Sequence, residues 1–446
     1  MSIFKKIKGK KLLAFIIAIT LILTSFSVPI VRNISESKPN NSSQDSSTGN
    51  SSGNGESKDK ISEDEIAKLN AQIKKTPDST DLYVKRASHF SILQKYDEAI
   101  ADYTKAIELD PKANTYYLRA VCYIVETEYL SAYEDLKTAL TYEPDNVDYL
   151  SFMADVCSAL KKYDENITVL GKLLAKDSKN AILYAMAGDT CVYLSDIDGA
   201  ISHYDNAIKY YSDATSKAGI SKESLYAAKG NCLKTNAQYS DAINAYNQSL
   251  KIAETISLYF QRGFCLIQLG QYEEAIKDFT KAIDKNYEVP LSKFQRGLCY
   301  YSTGKYQKAI DDFSAYEAAF PDKTDSFLYK GLCLQQLKKY SDAISYLEKS
   351  ILAGTAVGDC NFNIGNCYYN QEKYAESISY YTKAIELNAQ IYPAYLNRGL
   401  AYVKTNKYNE AKEDLKKVID ECPDKDLAAT ASKNYEPIKN ITIITK

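Results

Sequence analysis

The residues of this chain best suited to chemistry are ten cysteines and two histidines. Thiolates and imidazoles hold zinc when they cluster, but no CxxC occurs, and His89 and His203 stand far apart without a partner at ligand spacing. Thiols also pair as disulfides. Six of them recur in one register, however: Cys122, Cys232, Cys265, Cys299, Cys333 and Cys367, the last four spaced 34 residues apart. No phosphate-cradling glycine loop and no nucleophile motif is found. The expectation is a protein that is not an enzyme and uses neither metal nor cofactor. A second set is ionic. Five arginines are each followed 16 residues later by an aspartate: Arg86 and Asp102, Arg119 and Asp135, Arg262 and Asp278, Arg296 and Asp312, Arg398 and Asp414.

Such recurrence requires a recurring scaffold. Tyrosine marks it at Tyr96, Tyr129, Tyr163, Tyr239, Tyr272, Tyr306, Tyr340, Tyr374 and Tyr408, with Ile197 in the one missing place. Nine residues earlier stands Gly or Ala in every copy, from Ala87 to Gly399. A fixed period of this length signifies stacked copies of one supersecondary unit. The last copy, Tyr392 to Asp424, shows what the unit is. Tyr395, Gly399 and Tyr402 share one helical face, and Tyr408, Ala411, Leu415 and Val418 share a second. Thr405-Asn406-Lys407 separates them, and Pro423 ends the second helix. Two short helices joined this tightly lie antiparallel, and their apolar faces are covered only if neighbouring hairpins stack.

The pattern resembles the tetratricopeptide repeat family. Counted from the start of each copy, position 4 is aromatic (Tyr83, Tyr116, Tyr184, Tyr226, Tyr259, Phe327, Tyr395), position 8 is Gly or Ala, position 17 is Tyr, position 20 is mostly Ala, and position 32 is Pro in four copies (Pro111, Pro144, Pro321, Pro423). Leu150, Lys293 and Asn361 depart from it at position 4, as do Asn166 and Ser377 at position 20. The resemblance implies an all-α, right-handed αα-superhelix with a concave inner groove. Ten repeats fill residues 80–425, starting near 80, 113, 147, 181, 223, 256, 290, 324, 358 and 392.

Register then gives the reactive residues their roles. The arginines fall at position 7 and the aspartates at position 23, at similar height on antiparallel helices, so an ion pair is expected across each of those five hairpins. Equivalent cysteines of neighbouring repeats stand about 10 Å apart, the helix-packing distance. That is beyond the ~7 Å reach of a disulfide, and the cysteines read as small buried apolar residues.

The resemblance also carries a binding surface, formed by first-helix positions 2, 5, 9, 12 and 13. Positions 5, 9 and 12, the inner stripe, are apolar in the later repeats: Phe260, Phe264, Ile267; Phe294, Leu298, Tyr301; Leu328, Leu332; Phe362, Asn366, Tyr369; Leu396, Leu400, Val403. In repeats three to five they are small and polar: Ser151, Asp155, Ser158, Ala185, Asp189, Val192, Ala227, Asn231 and Lys234. An exposed apolar stripe fits a protein or peptide partner. Family members that clamp chaperone tails carry Lys at position 5 and Asn at position 9 of one repeat, and no repeat here does.

The ends set the expected location. Lys5, Lys6, Lys8, Lys10 and Lys11 precede an apolar run from Leu12 to Val31. Twenty helical residues span about 30 Å, one bilayer core. The flanking lysines keep the N-terminus cytoplasmic and place the repeats outside. Residues 1–32 therefore read as a signal anchor, with a cleaved signal and secretion as the alternative. Residues 33–60, rich in Ser, Asn and Gly, read as a disordered linker. Residues 61–79 read as a capping helix and 426–446 as a C-terminal cap and tail, with a helix near Leu427–Tyr435. Beyond the first 32 residues, 49 basic residues face 57 acidic ones, a balance that disfavours nucleic acid. The chain so read is a membrane-anchored or exported, bacterial-like interaction scaffold. The alternative is a glycan-binding module built on its 39 tyrosines, weakened by the absence of tryptophan. One irregularity remains: eight extra residues within Tyr211–Ser224 read as a loop or lengthened helices, or more sharply as a hinge.

Overall fold

The computed structural model describes residues 54–388 and 390–441, and among them it contains 23 α-helices and no strand. The apolar run at 12–31 lies outside the described residues, as does most of the linker. None of the described helices is long and apolar enough to cross a membrane.

Two compact units meet at Ala253–Glu254. The N-terminal unit holds α1 (Asn54–Lys75), then hairpins α2–α3 (Thr80–Ile92, Tyr96–Leu109), α4–α5 (Ala113–Val125, Tyr129–Tyr142), α6–α7 (Val147–Ala159, Tyr163–Lys176) and α8–α9 (Ala181–Tyr193, Ile197–Lys209). The short α10 (Asp213–Lys217) and hairpin α11–α12 (Lys222–Thr235, Tyr239–Ile252) complete it. The C-terminal unit holds α13–α14 (Ile256–Gln268, Tyr272–Asp284), α15–α16 (Val289–Ser302, Tyr306–Ala319), α17–α18 (Asp325–Gln336, Tyr340–Leu352), α19–α20 (Val357–Asn370, Tyr374–Glu386), α21–α22 (Ile391–Lys404, Tyr408–Glu421) and α23 (Lys425–Tyr435). Within each unit every hairpin packs on the next, which is the αα-solenoid architecture.

The small residue at position 8 makes the hairpins possible. It lies against the large residue at position 24 of the same hairpin. A Cβ placed on Gly188, Gly230 or Gly297 would stand 2.7, 2.6 and 2.7 Å from Tyr204, Tyr246 and Phe313. Those position-24 side chains are among the most buried in the molecule. Each hairpin turn is also built alike. Position 15 has a left-handed backbone in all ten repeats, from Gln94 (φ 57°) to Asn406 (φ 59°), and only Gly270 and Gly304 are glycines there. The next N–H returns to the fifth residue before it, as Lys95 does to Phe90 at 2.9 Å, closing the first helix in a Schellman-type cap.

The ends are covered. Helix α1 packs on α2 and buries Leu69 and Ile73. It starts at Asn54, seven residues inside the stretch expected as linker. That stretch carries Glu56, Lys58 and Lys60, good helix formers that extend a helix already anchored by its apolar turn. At the other end α23 packs on α22, Ile438 is buried, and Lys412 Nζ donates to the Ile441 carbonyl at 2.8 Å. The eight-residue insertion forms α10 and a loop that sends Ile220 into the core beside Tyr204. The division between the units falls one repeat later.

Candidate partner-binding face

The ionic residues fix the hairpins that carry the face. Each of the five arginines forks onto its aspartate. The Nε and Nη2 contacts are 2.6 and 2.6 Å for Arg86–Asp102, 2.7 and 2.7 Å for Arg119–Asp135, and 2.7 and 2.6 Å for Arg262–Asp278. They are 2.8 and 2.9 Å for Arg296–Asp312 and 2.8 and 2.8 Å for Arg398–Asp414. The aspartates are buried and the arginines nearly so. Burial pushes Asp278 and Asp414 above the usual carboxylate range against the pull of their arginines. The hydrogen bond to Asp135 pushes Arg119 above its own.

Sequence reasoning missed a third partner. Nη1 of Arg119, Arg296 and Arg398 donates to Thr104, Thr280 and Thr382 of the preceding hairpin, at 2.9, 3.0 and 2.9 Å. Arg86 makes the same reach to Asn70 of α1, at 2.6 Å. Those three clamps thus tie two hairpins as well as two helices, and that of Arg86 ties its hairpin to α1. The signal was present: threonine occupies position 25 before those three arginines. Repeats without the clamp use other ties. Lys330 donates to Glu317 at 2.9 Å and stands 4.3 Å from the Tyr346 ring, and Lys229 pairs with Asp205 at 2.5 Å.

The inner stripe of the C-terminal unit is half-buried, and its rings lean on the hairpins' own cores. Phe260 meets Phe279 edge-on at 5.6 Å, Phe294 meets Tyr316 at 4.8 Å, and Phe362 meets Tyr381 at 5.9 Å. Tyr301 and Tyr369 sit edge-on to Tyr329 and Tyr374. Phe264, Ile267, Leu298, Leu328, Leu332, Leu400 and Val403 are likewise half-buried. Two members differ. Leu396 is only 8% exposed and belongs to the core with Leu415 and Val418. Asn366 is engaged already, accepting from the Tyr381 hydroxyl at 2.8 Å and from the Asn397 amide at 2.9 Å.

In the N-terminal unit the same positions hold acceptors. Tyr204 donates to Asp189 at 2.5 Å and Tyr246 to Asn231 at 2.9 Å. Burial pushes both Asp155 and Asp189 up to about 7, and the Tyr204 bond opposes the shift at Asp189. The described cysteines are free thiols, all buried but Cys422. Burial raises Cys122, Cys232, Cys299, Cys333 and Cys367, the last three to about 12, so they are poor nucleophiles. His89 and His203 lie in separate hairpins with Nδ1 buried and unpartnered. No group of metal-ligating side chains occurs among the described residues.

These features define an all-α solenoid of helical hairpins. Models of the tetratricopeptide repeat match residues 223–255, 266–324, 359–390 and 392–425. A model of anaphase-promoting complex, cyclosome, subunit 3 matches residues 92–173. The DnaJ protein P58IPK homolog A of Oryza sativa is 28% identical over 155 residues, 32% of this chain and 33% of that protein. Tetratricopeptide repeat protein 13 of Homo sapiens is 35% identical over 75 residues, 17% of this chain and 9% of that protein. The chain thus spans a third or less of the length of these relatives. Among solved structures, a tetratricopeptide repeat protein from Parabacteroides merdae is 17% identical with a TM-score of 0.41, covering 56% of this chain and 98% of that one. Yeast Tom70 is 16% identical with a TM-score of 0.35, covering 81% and 95%.

Proposed function

We propose that this protein is a non-catalytic interaction scaffold, tethered through residues 12–31 with its repeats outside the cytoplasmic membrane, whose inner stripe holds an extended polypeptide. The tether rests on the lysine-flanked apolar run of the sequence. The observation that carries the binding reading is the stripe of the C-terminal unit. Phe260, Phe294 and Phe362 are each braced by a buried ring and Tyr301 and Tyr369 by the half-buried Tyr329 and Tyr374, and all five stay partly exposed. Braced aromatic rings offer contact area with little side-chain entropy left to lose, as hot-spot anchors do. A photoreactive residue at Phe294, paired with one at the exposed Glu274, tests this in cells making the full chain. The expected result is one mapped polypeptide segment crosslinked from 294 and not from 274. Equal yields from both positions would defeat the reading.

A further inference from the structure

Position 23 is aspartate in the five clamped repeats and Val169, His203, Tyr346 or Tyr380 in four of the others. Repeat five alone carries alanine there, Ala245. Its cation is kept, because Lys229 stands at position 7 where the clamps carry arginine. Its carboxylate comes from the preceding hairpin instead: Asp205, at position 25, accepts from Lys229 Nζ at 2.5 Å. The volume that a clamp fills within its own hairpin is left open. A cleft of about 360 Å³ lies there, lined from α9, α11 and α12. Leu233 and Ala245 are buried beneath it, and Ile201 and Tyr226 are half-buried along it. Its size falls in the range of small-molecule sites, ~300–1,000 Å³. The residues it takes from α11 hold positions 4, 7 and 11, on a different side of that helix from the inner-stripe positions 5, 9 and 12.

The polar groups of the cleft are only partly engaged. An ammonium carries three N–H donors. Among the described residues Lys229 gives one of them to Asp205 and the others to none. The Lys229 side chain is 24% exposed and that of Asp205 53%, so water competes for the carboxylate more than for the ammonium. The Asn244 and Gln248 amides and the Tyr226 hydroxyl have no hydrogen-bond partner among the described residues. Asp241, exposed in the first turn of α12, adds a second carboxylate. Two carboxylates oppose a plain anion, and the ammonium opposes a plain cation. Groups of both signs around an apolar floor are complementary to a molecule that carries both charges and an apolar side chain.

We propose that this cleft binds a free α-amino acid with an apolar side chain. The ligand's carboxylate takes the place beside Lys229 that the position-23 aspartate holds in the clamped repeats. Its ammonium meets Asp241 at the rim, and its side chain lies on Leu233 and Ile201. The site is separate from the inner stripe, and neither reading depends on the other. The probes are L-leucine and L-phenylalanine, each also as the N-acetyl derivative and as the amide, titrated into the full chain by calorimetry. At least one free amino acid binds with a Kd below about 1 mM, and blocking either of its charges weakens it roughly tenfold or more. Asp241→Asn weakens the free amino acid to a similar degree and leaves the N-acetyl form as it was. Ala245→Asp returns a carboxylate to position 23 and abolishes binding. Ala245→Val, with the side chain that repeat three carries there, abolishes it by volume alone. A melting temperature no lower than that of the parent chain in either variant shows that failed folding is not the cause. Glu134→Gln, at an exposed site in another repeat, changes nothing. If neither free amino acid binds, if either blocked form binds as tightly as the free one, or if both Ala245 variants still bind, the proposal is overturned.

Discussion

An arginine that forks onto one aspartate and reaches a threonine of the previous hairpin leaves its partner stranded when removed. Arg398→Ala strips Asp414 of its only arginine and leaves a buried carboxylate, a change that costs about 3–5 kcal/mol. Arg398→Lys keeps the charge without the fork and should recover only part of that loss. Denaturant midpoints of the two variants and of Asp414→Asn check this; additive effects of Arg398→Ala and Asp414→Asn would show that the two do not act as a pair. Asp155 makes the opposite kind of statement. Its carboxylate is raised to about 7 in the folded chain, against an ordinary value of 3.8. Between those values the native state binds a proton that the unfolded state has released, so this residue's contribution to stability falls as pH rises from about 4 to about 7. Asp155→Asn should therefore raise the melting temperature at pH 8 and leave it nearly unchanged at pH 4. Equal effects at both values would mean that the carboxylate is ordinary. These single-residue features were partly legible. The five Arg–Asp couples stood out because register repeats. The threonine and the lone Asp155 were equally visible in the ten aligned copies, but their meaning depends on which side chains touch.

The hairpin shows what periodicity conveys and what it hides. Its helices, its small position 8 and its large position 24 follow from side-chain volume, and volume is written in the sequence. Its turn is not, because a left-handed residue is set by backbone geometry and eight of the ten turns place a side chain there. Such a conformation costs roughly 1–2 kcal/mol for residues other than glycine. Lys161→Gly should accordingly stabilise the chain by about 1 kcal/mol, seen as a higher denaturant midpoint; a lower midpoint would mean that the strain is not felt. Gly297→Ala acts in the other sense. Its added methyl would sit 2.7 Å from the Phe313 ring and should cost about 1–3 kcal/mol. The pair Gly297→Ala with Phe313→Leu should recover part of it, as volume exchange across the contact requires.

At the scale of the molecule, the ten-repeat solenoid was readable because each copy restates the same packing problem. The division at Ala253–Glu254 was not, since the repeat spacing shows no break there. The reach of α1 back to Asn54 was hidden because propensity, unlike burial, leaves no apolar signature. The inner stripe was readable in composition. Its bracing was not, nor was the withdrawal of Leu396 into the core, because both depend on how the helices rotate. The tether is checked separately by the intact mass of the native protein. An unprocessed N-terminus supports the anchor, and a start just after Ser27 would replace it with a cleaved signal. Side-chain footprinting of the full chain, alone and with the polypeptide captured from position 294, tests the binding face most directly. The expected outcome is protection of Phe260, Phe294, Tyr301, Phe362 and Tyr369, with Tyr142 and Phe320, exposed elsewhere on the hairpins, as reactive as before. Protection of Tyr142 and Phe320 while the stripe stays open would contradict the account.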